Sequence, residues 1–216
     1  RSISFEGTPL HLPLGTAWEA MGVLLVVGVA WLTMLLGFAW WMGVFRRVRF
    51  TEAVFQQGTF LFAEYTGPYS TVGEIFTQLM ELRTEAMEAA GACCAMITLD
   101  NPATVDSTKL RSLCGMILPE DCQQYIDTVV ANGAKEGLPL QKREMKATKC
   151  LLADFPRRNM LSFMLAPMKV FRAARSLTGL CMNENGGCPI EVYRAKTIEF
   201  YFPLENRSQF VHPKDQ

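Results

Sequence analysis

Glu191 and Tyr193, two residues apart in "PIEVYRA", are the side chains best suited to chemistry: a carboxylate that could act as general base and a phenol that could orient it. A second reading makes Glu191 one half of a structural ion pair with an arginine such as Arg111. Other chemistries lack their residues. The two histidines, His11 and His212, lie near the chain ends. A catalytic triad, a histidine zinc site and a histidine-ligated haem are therefore unavailable inside the intervening domain. Neither a G-x-x-x-x-G-K-[ST] phosphate loop nor a G-x-G-x-x-G turn occurs. No cofactor and no metal are expected. A net charge of zero gives no electrostatic footprint for nucleic acid.

The seven cysteines form no C-x-x-C pair, and the odd count reads as mostly free thiols in a reducing compartment. A Cys181–Cys188 bridge across "MNENGG" stays open. Neighbours Cys93 and Cys94 must point to opposite faces of a strand. Glu64 reads as a solvated strand residue, and the methionines Met160, Met164 and Met168 read as core packing. Asn206-Arg207-Ser208 is a glycosylation sequon that matters only in a lumenal domain.

These residues need a scaffold. "VRFTEAVF" and "TFLFAEYTG" flank Gln56-Gln57-Gly58 as two strands around a turn. "TVGEIFTQLMELRTEAMEAA" carries apolar residues at helical spacing up to Gly91, and "CCAMITL" and "RSLCGMIL" read as strands. Between them "LDNPATVDSTKL" reads as a shaped loop: Asp or Asn bonds its own backbone and Pro ends the strand. "PEDCQQYIDTVVANG" is a short amphipathic helix. The pattern then repeats, with "LQKREMKATKCLLADF" as strand, "RNMLSFMLAPMKVFRAARSL" as a helix around Pro167, and "CPIEVYRA" with "TIEFYFPL" as a strand pair. Aligning Tyr65 with Phe155 superposes the two halves. The expected fold is α+β: two pseudo-twofold strand-helix-strand-strand halves in one antiparallel sheet, with the helices on one face.

Ahead of this domain, Ala20 to Phe45 contains no charged residue. As a helix it would be about 39 Å long, against a bilayer core of about 30 Å. It reads as a single membrane span. Trp18 at one end and Trp40 with Trp41 at the other match interfacial aromatic belts. Trp31, near the middle, calls for a neighbouring helix or lipid, and Ala39 with Gly43 makes a small-xxx-small pair for helix packing. Arg46, Arg47 and Arg49 follow the span, so the positive-inside bias puts the large domain on the cytosolic, matrix or stromal side. The absence of an initial Met reads as a processed or trimmed product. The expected organisation is a tail at 1–17, a span at 18–45, the large domain at 46–213 and a short tail at 214–216.

"FAEYTGPYSTVGEIF", "LDNP…LRSLCGMIL" and "PIEVYRA…FYFPL", in that order after a span, resemble the GyrI-like domain, and within it the testis-expressed, membrane-anchored ER-phagy receptor family. The likeness runs from Val48 to Pro213. It implies a cleft between the two halves that can bind small molecules through aromatics and a central glutamate in an E-x-Y motif. Glu191 and Tyr193 match that motif; Tyr65 and Tyr69 lie on the corresponding first-half strand and turn, and Arg111 opens the strand after the loop. The domain has no tryptophan to stack on a flat ligand, and the receptors' acidic autophagy-binding tail has no counterpart here, so recruitment of that machinery is not carried over.

The function expected is therefore a non-catalytic, single-pass accessory subunit of an organellar membrane complex. It would meet other subunits and lipid through the span and protein partners through the domain. An ER-phagy-like adaptor, and a small-molecule-binding or hydrolytic cleft protein, are the alternatives. The mitochondrial inner membrane is favoured, with plastid and ER membranes behind it.

Overall fold

The computed structural model describes residues 14–102, 104–177 and 188–211, which fall into two units divided after Arg46. The first unit is helix α1, Leu14–Trp41. Its segment Met21–Trp41 is long and apolar enough to cross a membrane, and its side chains are exposed on every side except at Ala39, which is half-buried. The helix ends where Gly43 takes a left-handed φ of 82°, with Gly43 N–H donating to Trp40 O and Val44 N–H to Ala39 O, both at 3.0 Å. Glycine is suited to that position because it has no Cβ to clash there. Gly43 thus terminates the helix, and the Ala39/Gly43 stripe expected for helix packing is not continuous. His11, His212, Cys181 and both expected tails lie outside the described residues, apart from Leu14–Ala17, which begin α1.

The second unit is one eight-stranded antiparallel sheet. Its strands are β1 (Thr51–Phe55), β2 (Gly58–Thr66), β3 (Cys93–Thr98), β4 (Arg111–Leu118), β5 (Gln141–Met145), β6 (Thr148–Pro156), β7 (Ile190–Tyr193) and β8 (Thr197–Pro203). They lie in the order β1-β6-β8-β7-β3-β4-β2-β5. Exchanging the first four strands with the last four leaves that order unchanged, which is the expected twofold repeat. Tyr65 and Phe155 do occupy corresponding positions, opposite Ser112 and Ile198.

The expected hairpin between β1 and β2 does not form. Instead β1 crosses to the second half and pairs with β6, and β5 crosses back to pair with β2. Both crossing strands end in a buried apolar residue, Phe55 and Met145. That burial, against the far half's core, outweighs the local turn. Two helices, α2 (Gly73–Leu82) and α5 (Met160–Ala174), are the repeat's counterparts. The long helix expected after Thr71 breaks at Arg83, which is extended, and Thr84 caps a separate helix α3 (Glu85–Ala89) by accepting from Met87 N–H. Helix α4 (Ile126–Lys135) fills the connection between halves.

Alternation sorts the core into layers. Leu61, Ala63, Cys94, Met116 and Leu118 meet α2, α3 and α4, while Ala153, Phe155, Ile198 and Phe200 meet α5. On the opposite face Phe60, Phe62, Ala95, Ile97, Leu113 and Val192 form a second apolar layer. Cys93 and Cys94 accordingly fall into different clusters. Helix α5 reaches the sheet through Ser162, Ala166, Val170 and Ala174, spaced four apart and all buried. Small side chains there let the helix sit close on large sheet residues. The consequence reverses the sequence reading: Met160, Met164 and Met168 are left outside at 78%, 65% and 69% exposure, and are not core.

Candidate functional site

The centre of the sheet is the β3–β7 junction, where Met96 faces Glu191 and Cys94 faces Tyr193. The ladder registers make Met96 and Glu191 each other's counterparts in the repeat as well as cross-strand partners, so the pseudo-twofold axis passes between them. Above this junction, between α2 and α5, lies a cleft of about 1550 Å³. Helix α2 contributes Phe76 and Met80 to its walls; α5 contributes Phe163 and the three exposed methionines; Glu191 and Tyr193 form part of its floor.

Glu191 is buried, at 2% exposure. Thr98 Oγ1 donates to its Oε1 at 3.3 Å and Tyr193 O–H donates to its Oε2 at 3.0 Å. Burial pushes the carboxyl up to about 7, opposed by those two hydrogen bonds. The same burial, with Glu191 beside it, holds the Tyr193 phenol well above its ordinary range. Its ring is gripped edge-on by Phe76 of α2 at 5.0 Å and tilted against Phe163 of α5 at 5.6 Å. One aromatic from each half therefore fixes the residue that fixes Glu191.

Arg111 does not pair with Glu191. It makes a two-pronged ion pair with Asp100, Nε to Oδ2 and Nη2 to Oδ1, each at 3.0 Å, while its backbone N–H donates to Oδ2 at 2.8 Å. Strand parity explains the difference. Ser112 and Cys114 share the face of Met96 and Glu191, so Arg111 points to the other. Tyr69, which does line the cleft, pins the same loop: its O–H lies 2.8 Å from Asp100 O and 3.1 Å from Arg111 O as acceptors. Tyr65 sits lower, packed with Val72, Met96 and Cys114 and hydrogen-bonded to Thr71. Of the five expected cleft residues, Tyr69, Glu191 and Tyr193 line the cleft; Tyr65 and Arg111 support it. Sequence reading missed Thr98, Phe76, Phe163 and the methionine wall. The four-residue spacing of Met160, Met164 and Met168 was a visible signal, and only the small-residue stripe beside it shows which face is buried.

The loop around "DNP" is thus a clamp held by Asp100. Asp100→Ala should cost about 2 kcal/mol, since a largely buried carboxylate and its three bonds are lost. Arg111→Ala should cost more, about 3 kcal/mol, because it leaves the Asp100 carboxylate, only 10% exposed, without its guanidinium. Calorimetric unfolding of the full chain in mild detergent reads both; equal losses would contradict this ordering.

Glu64 is exposed and accepts from Gln141 Nε2 at 3.2 Å, as a strand residue facing solvent would. Burial raises the thiols of Cys93 and Cys114, to about 11 and about 12, so neither is a ready nucleophile. Among the described residues no cluster of three metal-ligating side chains is assembled.

No family model matches the chain, and no curated protein matches it, so the likeness to ER-phagy receptors rests on motifs alone. Solved structures of similar outline include the EcmrR C-terminal domain, at 10% identity and a TM-score of 0.46, covering 72% of this chain and 96% of that one. An integron cassette protein from Vibrio cholerae gives 8% and 0.48, covering 73% and 97%. SAV2435 bound to tetraphenylphosphonium gives 9% and 0.47, covering 73% and 94%. The strand order and paired helices fit the GyrI-like plan. Likeness at this level leaves ligand and activity to be read from the chain's own residues.

Proposed function

We propose that this chain is a membrane-tethered binding protein whose cleft holds an apolar small molecule without transforming it. The observation that carries the reading is the cleft itself: an open volume walled by Phe76, Met80, Phe163 and three solvent-facing methionines, above a floor where Glu191 and Tyr193 are the convergent polar pair. Apolar walls with a few oriented polar groups are what small-molecule sites are made of, and flexible methionines suit a binder more than a catalyst. A hydrolase would use Glu191 to activate water, but both of its carboxyl oxygens already accept hydrogen bonds, from Thr98 and Tyr193.

In this reading α1 spans the bilayer and Arg46, Arg47 and Arg49 keep the binding domain on the cytosolic, matrix or stromal side. A neutral alkyl diazirine, photolysed with the full chain in nanodiscs, tests it. Label is expected on the peptides containing α2 and α5, reduced at least about fivefold by Met164→Lys, which places a charge on an exposed wall residue. Label confined to α1 would end the reading. The accessory-subunit reading retains one support: Trp31 is 59% exposed on α1, and an indole N–H within a bilayer calls for a partner. Stoichiometric migration with a larger assembly after mild-detergent extraction would favour it; migration as a single small species would count against it.

A further inference from the structure

The cleft's charge is lopsided. Its lining holds six basic residues, Arg83, Arg157, Arg172, Arg175, Arg194 and Lys196, against two acidic ones, Glu88 and Glu191. Glu88 is occupied by Arg83 at 3.2 Å, and Glu191 lies at the buried floor. The basic groups are not scattered. Past the end of α2, whose wall residues are Phe76 and Met80, the extended residue Arg83 also lines the cleft. On α5 the run Met160, Met164, Met168 continues, four residues on, to Arg172 and then Arg175. Helix α5 therefore offers the cleft an apolar stretch that ends in arginine.

Arg83 and Arg157 line the cleft, whereas the Arg194 guanidinium turns to the opposite face of the sheet, where Val192 and Glu199 lie. Arg194 is satisfied by Glu199 at 2.8 Å. Arg157 is different. Its Nη1 donates to the Arg194 carbonyl at 3.0 Å and its guanidinium lies 5.2 Å over the Phe163 ring, with no carboxylate partner among the described residues. Phe163 contacts Tyr193, which contacts Phe76 and bonds Glu191. A continuous column runs from a rim cation, across three aromatic rings, to the buried Glu191 carboxyl.

Resting on the binding-protein reading above, we propose that the cleft takes a single-chain amphiphile with an anionic head group, its head at Arg157 and its chain along Phe163, Met160 and Met164. A long-chain carboxylate and a single-chain phosphate monoester share that chemistry. A cationic lipophile does not fit: it would meet Arg157, Arg172, Arg175 and Lys196 in the lining to reach one buried acid.

Diazirine-bearing chains of equal length, carrying a carboxylate, a phosphate monoester, a methyl ester or a trimethylammonium head, test this on the wild-type full chain in zwitterionic nanodiscs. Cleft label, read on the α2 and α5 peptides, is expected to be at least about tenfold higher for the anionic heads than for the ester or ammonium. Preference for carboxylate over phosphate assigns a fatty acid as the source, and the reverse assigns a lysophospholipid. Arg157→Gln should remove most of the anionic advantage, and Arg157→Lys should retain it. Equal cleft labelling by all four heads, or a preference for ammonium, overturns the anionic assignment while leaving the cleft a binding site. Label on α1 alone overturns both. The head-group comparison uses unmutated protein, so it decides the matter even where a variant fails to fold.

Discussion

Gly115→Ala should lower the unfolding temperature of the domain by about 10 °C or more, the largest effect expected of any single methyl group here. Gly115 lies in the middle of β4, paired with Phe62 on one side and Ala95 on the other. A Cβ built on it would stand 2.1 Å from the Leu61 carbonyl oxygen, 2.8 Å from Phe62 Cα and 2.8 Å from the Phe60 ring. Two of those three atoms are backbone in a paired strand and cannot rotate away. Overpacking of this kind costs about 3–5 kcal/mol at its upper end, and a kilocalorie moves a domain of this size by about 2–4 °C. Gly73→Ala is the control. Nothing lies within 4 Å of a Cβ there, at the start of α2, so it should be neutral or gain up to about 1 kcal/mol of helix propensity. Calorimetry on both variants checks the pair; a Gly115→Ala protein as stable as Gly73→Ala would mean the strands part more easily than their ladder implies.

Glu191→Gln should make the protein more stable than wild type at pH 8 and bring the two together near pH 5. Burial raises the Glu191 carboxyl from 4.5 to about 7 in the folded chain. Between those values the unfolded chain has lost its proton and the folded chain keeps it, so the folded state binds more protons and stability falls as pH rises. Below about 4.5 the contribution is fully present, and above about 7 it is fully lost. The loss is on the order of 3 kcal/mol across that window, or roughly 5–10 °C in unfolding temperature. Glutamine keeps the shape and can still accept from Thr98 or Tyr193, but has no proton to lose. Unfolding temperatures taken every half pH unit should therefore slope downward for wild type and stay flatter for Glu191→Gln. Parallel curves would show that Glu191 is ionised in the fold throughout.

Much of this molecule is legible as text. The two halves, the matching of Tyr65 with Phe155 and the apolar α1 follow from periodicity and composition, which are local properties. What escaped depends on distant partners. Nothing near Gln56-Gln57-Gly58 reveals that β1 leaves β2 for β6, because the attraction lies in where Phe55 is buried. The pairing of Arg111 with Asp100 needs strand parity, which only the register supplies. The methionines of α5 are as hydrophobic as its core residues, and volume, with Ser162 and Ala166 giving the closer approach, decides which stripe faces inward. Hydropathy is blind to that distinction.

The strand exchange has a consequence for how the chain is made. When β1 emerges from the ribosome its partner does not yet exist; Thr51 pairs with Leu152, and Glu52 with Leu151. For most of translation the first half therefore has an open place at its edge beside β2, reserved for β5, and a loose strand of its own. Neither half can close alone. Such non-local pairing slows folding and leaves edges exposed while it waits, so a nascent chain released early, or cut between α4 and β5, should present two complementary sticky fragments in place of one finished half.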